Sequence, residues 1–314
     1  MSRRSPRETP RGVTARTVAQ AKLNLFLHVL AREASGYHQL ETLFCRLELG
    51  DEVTVRTDLR GRSLDCSGEA IPVGGLGPVE RNLAWRAALA FSNAAGWPND
   101  WAIDVTKRIP VGGGLGGGSA DGAAVLRCLN ALAPVPLPSE RLLALAAGLG
   151  ADVPYLTVDH PLVLAWGRGE RMIALPPLPA RPVTLVCFPF GVATPDAYGW
   201  IDTERASPAT APAARHLDDF TTWQRVSAHA RNDFEKVVAR HHPEVARAVA
   251  TLRRDASTDP AAFALLTGSG STVALVSAAS ADHDRAGDGR LDGVASRLVS
   301  TRTATAVVGV EVSG

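Results

Sequence analysis

The chain has 314 residues, enough for two compact domains with real cores, and 46% of them are hydrophobic against 21% charged. Lys plus Arg number 33 against 32 Asp plus Glu, a net charge of +1. That balance offers no broad field for holding nucleic acid or an anionic membrane, whereas a small anion needs only a local site.

The Arg-rich opening, residues 1–17, lacks the apolar stretch of a secretory signal and is expected to be a disordered basic arm. From Val18, "TVAQAKLNLFLHVL" alternates like a strand, and "GDEVTVRTD" does so again after Gly50. Between them "GYHQLETLFCRLEL" opens on a turn at Gly36 and fits either a strand or a short helix. "NLAWRAALAFSNAAG" has helical spacing through Leu83, Ala87, Ala90 and Phe91 and stops at Gly96. "WAIDVTKRI" reads as a strand with Trp101, Ile103 and Val105 on one face and Lys107 a candidate for the same face. After a glycine run come two helical stretches: "SADGAAVLRCLNALA", with Ser119 expected at the N-cap, and "PSERLLALAAGLGADVPYLT", capped by Ser139 and closing around Gly148 to Gly150.

The Pro-rich "ALPPLPARP" at 174–182 marks the expected boundary between an N-terminal domain, 18–175, and a C-terminal domain, 176–314. Beyond it lie a strand-like "VTLVCFPF" and an exposed loop, "DTERASPATAPAARHLDD". An amphipathic helix follows, "RNDFEKVVARHHPEVARAVATLRR", interrupted at Pro243. The chain then reads as strand, glycine turn and strand in "FALLTGSGSTVALVS", a polar connection in "SAASADHDRAGDGRLDG" and a closing strand in "TATAVVGVEV". Mixed elements in this order predict an α+β fold in each half. The four cysteines form no CxxC pair and read as reduced, mostly buried thiols, and no apolar run is long enough to span a membrane; the expected location is cytoplasmic.

The densest signal is "RIPVGGGLGGGSADGAAVL", with six glycines in the seven positions from 112 to 118, directly before a helix. A helix starts with unpaired N–H groups and a partial positive charge, and glycines let the preceding backbone close on an anion with no Cβ in the way. The pattern points to phosphate. Walker A is excluded because no Lys follows the glycines, and a Rossmann reading of Gly112, Gly114 and Gly117 lacks a surrounding βαβ unit and a ribose-binding acid. The HRD and DFG segments of protein kinases are missing. Loosely spaced acids in "DRAGDGRLD" lack the twelfth-position Glu of a calcium loop and read as solvated loop, and no metal-binding cluster is expected.

"PVGGGLGGGSAD" resembles the phosphate loop of the GHMP kinases. "AKLNLFLHVLAREASGYHQLETLFCRLELGDEV", "GADVPYL", "GRGE", "NDFE" with "HPEV", and "TGSGS" extend the likeness from Val18 to about Val276. They narrow it to the branch that phosphorylates the 2-hydroxyl of a cytidine-diphosphate-linked methylerythritol in non-mevalonate isoprenoid synthesis. The resemblance implies a ribosomal S5 domain 2-like N-terminal domain, a ferredoxin-like C-terminal domain and a site in the cleft between them. It implies Asp152 as base with Lys22 beside it, and ATP held by Pro110, Gly112, Gly113, Gly114, Leu115, Gly116, Gly117, Gly118 and Ser119. Asn82, Leu83 and Lys107 match positions near adenine or its sugar, although Lys107 equally reads as a solvated strand charge.

For the second substrate the resemblance implies that Tyr37 stacks on the cytosine and His38 bonds its polar edge. Tyr198 would close the other face, with Thr194 nearby, and Asn24 would position the hydroxyl. Gly268, Ser269 and Gly270 form a second glycine turn facing the first, with a plain hairpin turn as the alternative. Mg²⁺ is expected to arrive with ATP. Ala120 stands where the family often has a second hydroxyl, and Trp166 where a small residue is usual. The implied partner is a small cytidyl diphosphate, and monomer and homodimer both stay open. Rival readings are a homoserine or mevalonate kinase, which has no base to stack, and a catalytically inert nucleotide sensor, which needs neither Lys22 nor Asp152.

Overall fold

In a computed structural model of the chain the described residues are 13–57, 60–204, 216–277, 287–291 and 293–314. The chain runs β1 (Thr14–Arg32), β2 (His38–Arg56), β3 (Arg62–Ser67), α1 (Leu83–Ala95), β4 (Trp101–Thr106), α2 (Gly117–Leu132), α3 (Ser139–Leu149), α4 (Val153–Thr157), β5 (Leu162–Gly167) and β6 (Arg171–Ala174). It continues through β7 (Pro182–Cys187), α5 (Thr194–Glu204), α6 (Trp223–His229), α7 (Asp233–His241), α8 (Pro243–Ala256), β8 (Phe263–Leu266), β9 (Val273–Val276), β10 (Gly287–Leu291), β11 (Val294–Arg302) and β12 (Glu311–Ser313).

These strands form two sheets. The first has the order β12-β1-β2-β4-β3, with β5 on the other end of β2 and β6 beside β5. β1 and β2 pair antiparallel over nearly their full 19 residues, and the stretch whose sequence fitted strand or helix is strand throughout 38–56. Its apolar run has an edge partner at each side, β1 and β5, and that burial removes the clean alternation from the sequence. Thr14 to Thr17 pair with Arg56 to Val53, so strand replaces the last part of the expected disordered arm; residues 1–12 lie outside the described residues. Helices α1, α2 and α3 pack together, with α2 against β1 and β2. Asn82 caps α1 through its side chain, and Gly96 ends that helix in the left-handed region.

The second sheet, β10-β11-β7-β9-β8, is antiparallel at every pairing. Its strands β11, β7, β9 and β8 stand in the fourth-first-third-second order of a ferredoxin-like sheet, with α8 against β8 and β9. Among the described residues β10, and no helix, lies between β9 and β11. Alternate residues of β8 and β9 enter different cores. Phe263, Leu265, Ala274 and Val276 join the core of the first sheet, whereas Ala264, Leu266, Val273 and Leu275 pack with α7 and α8. Burial on both faces explains why these strands read as unbroken apolar runs.

The expected boundary at 175/176 falls between the two sheets, yet the chain end crosses back, with β12 pairing β1 through Thr14 and Ser313. The expected closing strand, 303–312, is strand only at its end: β11 stops at Arg302 and β12 starts at Glu311. Ser139 is the first residue of α3 and makes no side-chain cap, contrary to expectation; Pro138 occupies the N-cap. The interruption expected at Pro243 separates two helices: α7 ends at His241 and Pro243 opens α8, where a missing N–H costs nothing in a first turn. Most of the expected exposed loop, at 205–215, and of the polar connection, at 278–286, lies outside the described residues.

Candidate active site

The glycine run leads directly into α2. Gly116, in the left-handed region at φ +74°, is the N-cap, so Ser119 sits in the first turn and not at the cap position expected of it. Gly112 and Gly114 also have positive φ, and this alternation folds the backbone into a concave run of N–H groups at a helix start. Close approach also calls for glycine. A Cβ on Gly113 would strike the Thr272 hydroxyl, and one on Gly114 the Thr267 carbonyl, so the loop lies against the "TGSGS" turn. Thr272 N–H donates to Gly113 O at 3.2 Å, joining the two turns by main chain. Gly118 has only Leu83 within reach of a Cβ, and both residues line the cavity.

That cavity, of about 640 Å³, brings together most of the expected site: Lys22, Asn24, Asn82, Leu83, Lys107, Pro110, the whole run from Gly112 to Ser119, Asp152, Thr194, Tyr198, Gly268 and Ser269. Gly270 stands behind it, against Leu266 and Val238. Lys22 and Asn24 share a face of β1, and register shifts between Gln20 and Lys22 and between Asn24 and Phe26 flank them. Bulges of this kind re-aim side chains. The Lys22 Nζ lies 3.5 Å from Asp152 Oδ2 and donates to Asn24 Oδ1 at 2.6 Å. Asn24 Oδ1 also accepts from Gly268 N–H at 3.1 Å, while its Nδ2 donates to Thr42 Oγ1. The amide expected to hold substrate is thus engaged in orienting Lys22.

Asp152 precedes α4, a wholly buried turn of helix whose last carbonyls would be orphaned without a partner. Arg46 of β2 supplies it: Nη2 donates to the carbonyls of Tyr155, Leu156 and Val158. Burial pulls this guanidinium down to about 10, so it remains charged at neutral pH. Asp152 itself keeps 30% of its side chain exposed toward the cleft.

Lys107 is neither a solvated charge nor free to reach a base. Its Nζ donates to Asp51 and, at 2.6 Å, to Asp121 of α2, and all three are buried. Asp51 Oδ1 also accepts from the backbone N–H groups of Arg108 and Ile109, fixing the segment that leads from β4 into the glycine run. Burial pushes the Asp121 carboxyl up against the pull of Lys107, and Asp51 adds to the rise. Asp121 Oδ1 has no hydrogen-bond partner among the described residues. Asn82 likewise uses its Oδ1 on the cap of α1 and not on a ligand.

Tyr37 and His38 line a second cavity, of about 1080 Å³, which shares Ala151, Arg168, Thr194 and Tyr198 with the first. His38 stacks on Tyr198 with ring centroids 4.3 Å apart, and its Nε2 meets Asp202 Oδ1 at 2.7 Å. Its Nε2 is therefore taken, and one face of Tyr198 is covered. Tyr37 is 61% exposed, and the Arg168 guanidinium lies over its ring at 4.1 Å. Thr194 and Ser269 hydroxyls pair at 3.1 Å.

Residues 82–159 match the family described as GHMP kinases N terminal domain. The 4-diphosphocytidyl-2-C-methyl-D-erythritol kinase of Moorella thermoacetica is 39% identical over 231 residues, covering 72% of this chain and 79% of that one. The enzyme of that name from Salinispora tropica is 34% identical over 290 residues, covering 88% and 89%. The chain belongs to the 4-diphosphocytidyl-2-C-methyl-D-erythritol kinases. A crystal structure of a 4-(cytidine 5'-diphospho)-2C-methyl-D-erythritol kinase superposes with a TM-score of 0.68 at 32% identity, over 92% of this chain and 99% of that one. Homoserine kinase from Cytophaga hutchinsonii, at 17% identity and a TM-score of 0.63, covering all of both chains, shares the fold.

The sequence reading gives no role to several residues that hold this kinase site together. Asp51, Asp121, Thr42 and Arg46 lie inside the recognised motifs, but their partners are 14 or more residues away along the chain, so nothing local shows what each one bonds. Asn232 lies inside the recognised "NDFE". Its Nδ2 donates to the carbonyls of Leu266 and Gly268, and its Oδ1 caps α7, so it ties the second glycine turn to a helix start. The cysteines are unpaired, with Cys45, Cys128 and Cys187 buried.

Proposed function

We propose that the cleft transfers the γ-phosphoryl group of ATP to the tertiary 2-hydroxyl of 4-diphosphocytidyl-2-C-methyl-D-erythritol, a step of non-mevalonate isoprenoid precursor synthesis. The observation that carries this reading is the Lys22–Asp152 pair, 3.5 Å apart beside the glycine cradle. A tertiary alcohol is a weak nucleophile. Asp152 takes its proton as the oxygen attacks the γ-phosphorus and ADP departs. Lys22, held by Asn24, offsets the negative charge that builds on the transferred group. Asn24 acts through Lys22.

ATP is a substrate here, and its phosphates fit the concave backbone from Gly112 to Gly118 and the start of α2. Asn82 supports the adenine side indirectly by fixing α1, and Lys107 braces the loop from below. Mg²⁺ travels with the nucleotide. The Ser119 hydroxyl and the unpaired Asp121 Oδ1 are oxygen donors suited to such a hard cation, and when bound it neutralises phosphate charge. Tyr37 offers the stacking face for cytosine in the adjoining cavity, with His38 and Tyr198 as its wall. Among the described residues no helix is long and apolar enough to cross a membrane.

Turnover settles the matter. ADP release is measured with ATP and, in turn, the cytidyl diphosphate substrate, homoserine and mevalonate. Turnover with the first alone is expected; ADP release with homoserine or mevalonate at a comparable kcat/KM would overturn the substrate, and no release with any would favour a nucleotide sensor.

A further inference from the structure

The two cavities meet beside Asp152, and the four residues that line both are Ala151, Arg168, Thr194 and Tyr198, of which Arg168 alone is charged. Its guanidinium is held from one side. Nε donates to Glu33 Oε1 at 3.4 Å, Nη2 donates to Glu33 Oε2 and, at 3.2 Å, to Ser35 Oγ, and the Tyr37 ring supports the cation from below. The remaining terminal nitrogen, Nη1, donates to no described residue, which leaves two N–H groups of a fixed planar fork unspent. The Arg168–Glu33 pair is exposed, so sharing the cation with an incoming anion sacrifices little.

The bipartite substrate gives this placement a meaning. Its alcohol end has to reach Asp152 in one cavity while its base reaches Tyr37 in the other, so the diphosphate that joins them crosses the junction. We propose that Arg168 binds this bridging diphosphate through Nη1, with Glu33 and Tyr37 holding the guanidinium in place. A planar guanidinium matches phosphate oxygens in geometry as well as charge, which an ammonium does not. The inference rests on the base-pocket reading above and adds a determinant to it: the chain would select a nucleoside diphosphate over the bare nucleoside.

Calorimetric titration of cytidine, cytidine 5'-diphosphate and ATP tests it on the full chain and on Arg168→Gln, Arg168→Lys and Tyr37→Ala, each checked for folding by thermal denaturation. The wild-type chain should bind the diphosphate more tightly than cytidine. Arg168→Gln should weaken the diphosphate about ten- to a hundredfold while leaving cytidine and ATP unchanged, the loss expected for hydrogen bonds to a charged group. Arg168→Lys should restore part of it, and Tyr37→Ala should weaken cytidine and weaken its diphosphate at least as much, because the ring also supports the Arg168 cation. Equal binding of cytidine and its diphosphate by the wild type, or a fall in ATP affinity with the diphosphate unaffected, would overturn the role of Arg168 and leave the base pocket standing. If neither cytidine nor its diphosphate binds while ATP does, the base pocket fails and this proposal with it.

Discussion

Lys22 is almost wholly enclosed, and it is the company it keeps that gives it chemistry. The amide of Asn24 and the carboxylate of Asp152 meet its ammonium from two sides, and Thr42 and Gly268 N–H hold Asn24 in turn. Because Asp152 takes no part in capping α4, its replacement should leave the fold unchanged. Asp152→Asn is expected to lower kcat by about 10²–10⁴, the usual contribution of a positioned base, with ATP affinity unaltered; single-turnover kinetics with a nucleotide titration would check both. A kcat within threefold of the parent would remove Asp152 from proton transfer. Lys22, Asp152 and the glycine run were legible from sequence because each lies in a short contiguous motif. Lys107 was not. Its two carboxylate partners lie 56 and 14 residues away, and nothing within a window of the chain distinguishes a strand-end lysine in solvent from one locked between acids.

At the scale of elements, the loop before α2 works because it is pressed between β1 and the turn joining β8 to β9. Lys22 N–H donates to Leu115 O at 3.0 Å from one side, and Thr272 N–H to Gly113 O from the other. Gly114→Ala places a methyl group on the Thr267 carbonyl and demands a left-handed φ of +80°. ATP binding should fall about tenfold or more, given roughly 1–2 kcal/mol for the backbone conformation alone. Gly96→Ala is the control: it carries a similar φ, +64°, at the end of α1 with open space around it, and should cost folding stability without changing nucleotide affinity. Similar ATP affinities for Gly114→Ala and the parent would refute the cradle. Secondary structure was most readable where one face meets water, as in the amphipathic α7 and α8. It was least readable in β2, where burial on both sides erases the period of two that identifies a strand.

For the molecule as a whole, Asp233 marks where the halves are bonded. Its Oδ2 accepts from Val29 N–H of β1, Arg231 donates to its Oδ1, and the His28 imidazole lies 3.7 Å from that oxygen. Burial raises the carboxyl, but the nearby His28 and the hydrogen bonds from Val29 and Arg231 outweigh it and hold it down at about 2. An unfolded Asp titrates near about 3.9, so this stabilisation is complete above about pH 4 and disappears as pH falls through the folded value. Asp233→Asn should therefore lower the Tm at pH 7 and flatten the decline in Tm between about pH 4 and pH 2, in calorimetric scans at stepped pH; a parallel decline in both proteins would count against the linkage. The boundary expected from composition at 175/176 lies between β6 and β7, whereas nothing in the sequence signals the return of β12 to β1, since three exposed residues carry no pattern.

The stitching of Gly113 to Thr272 and of β1 to the segment before α7 has a mechanical corollary. Swinging one sheet away from the other would break the Thr272–Gly113 bond on one flank of the cleft and the Leu27–Arg231 bond on the other, so a jaw-like gape carries a cost on both sides at once. A reactant that enters along the rim leaves those bonds whole.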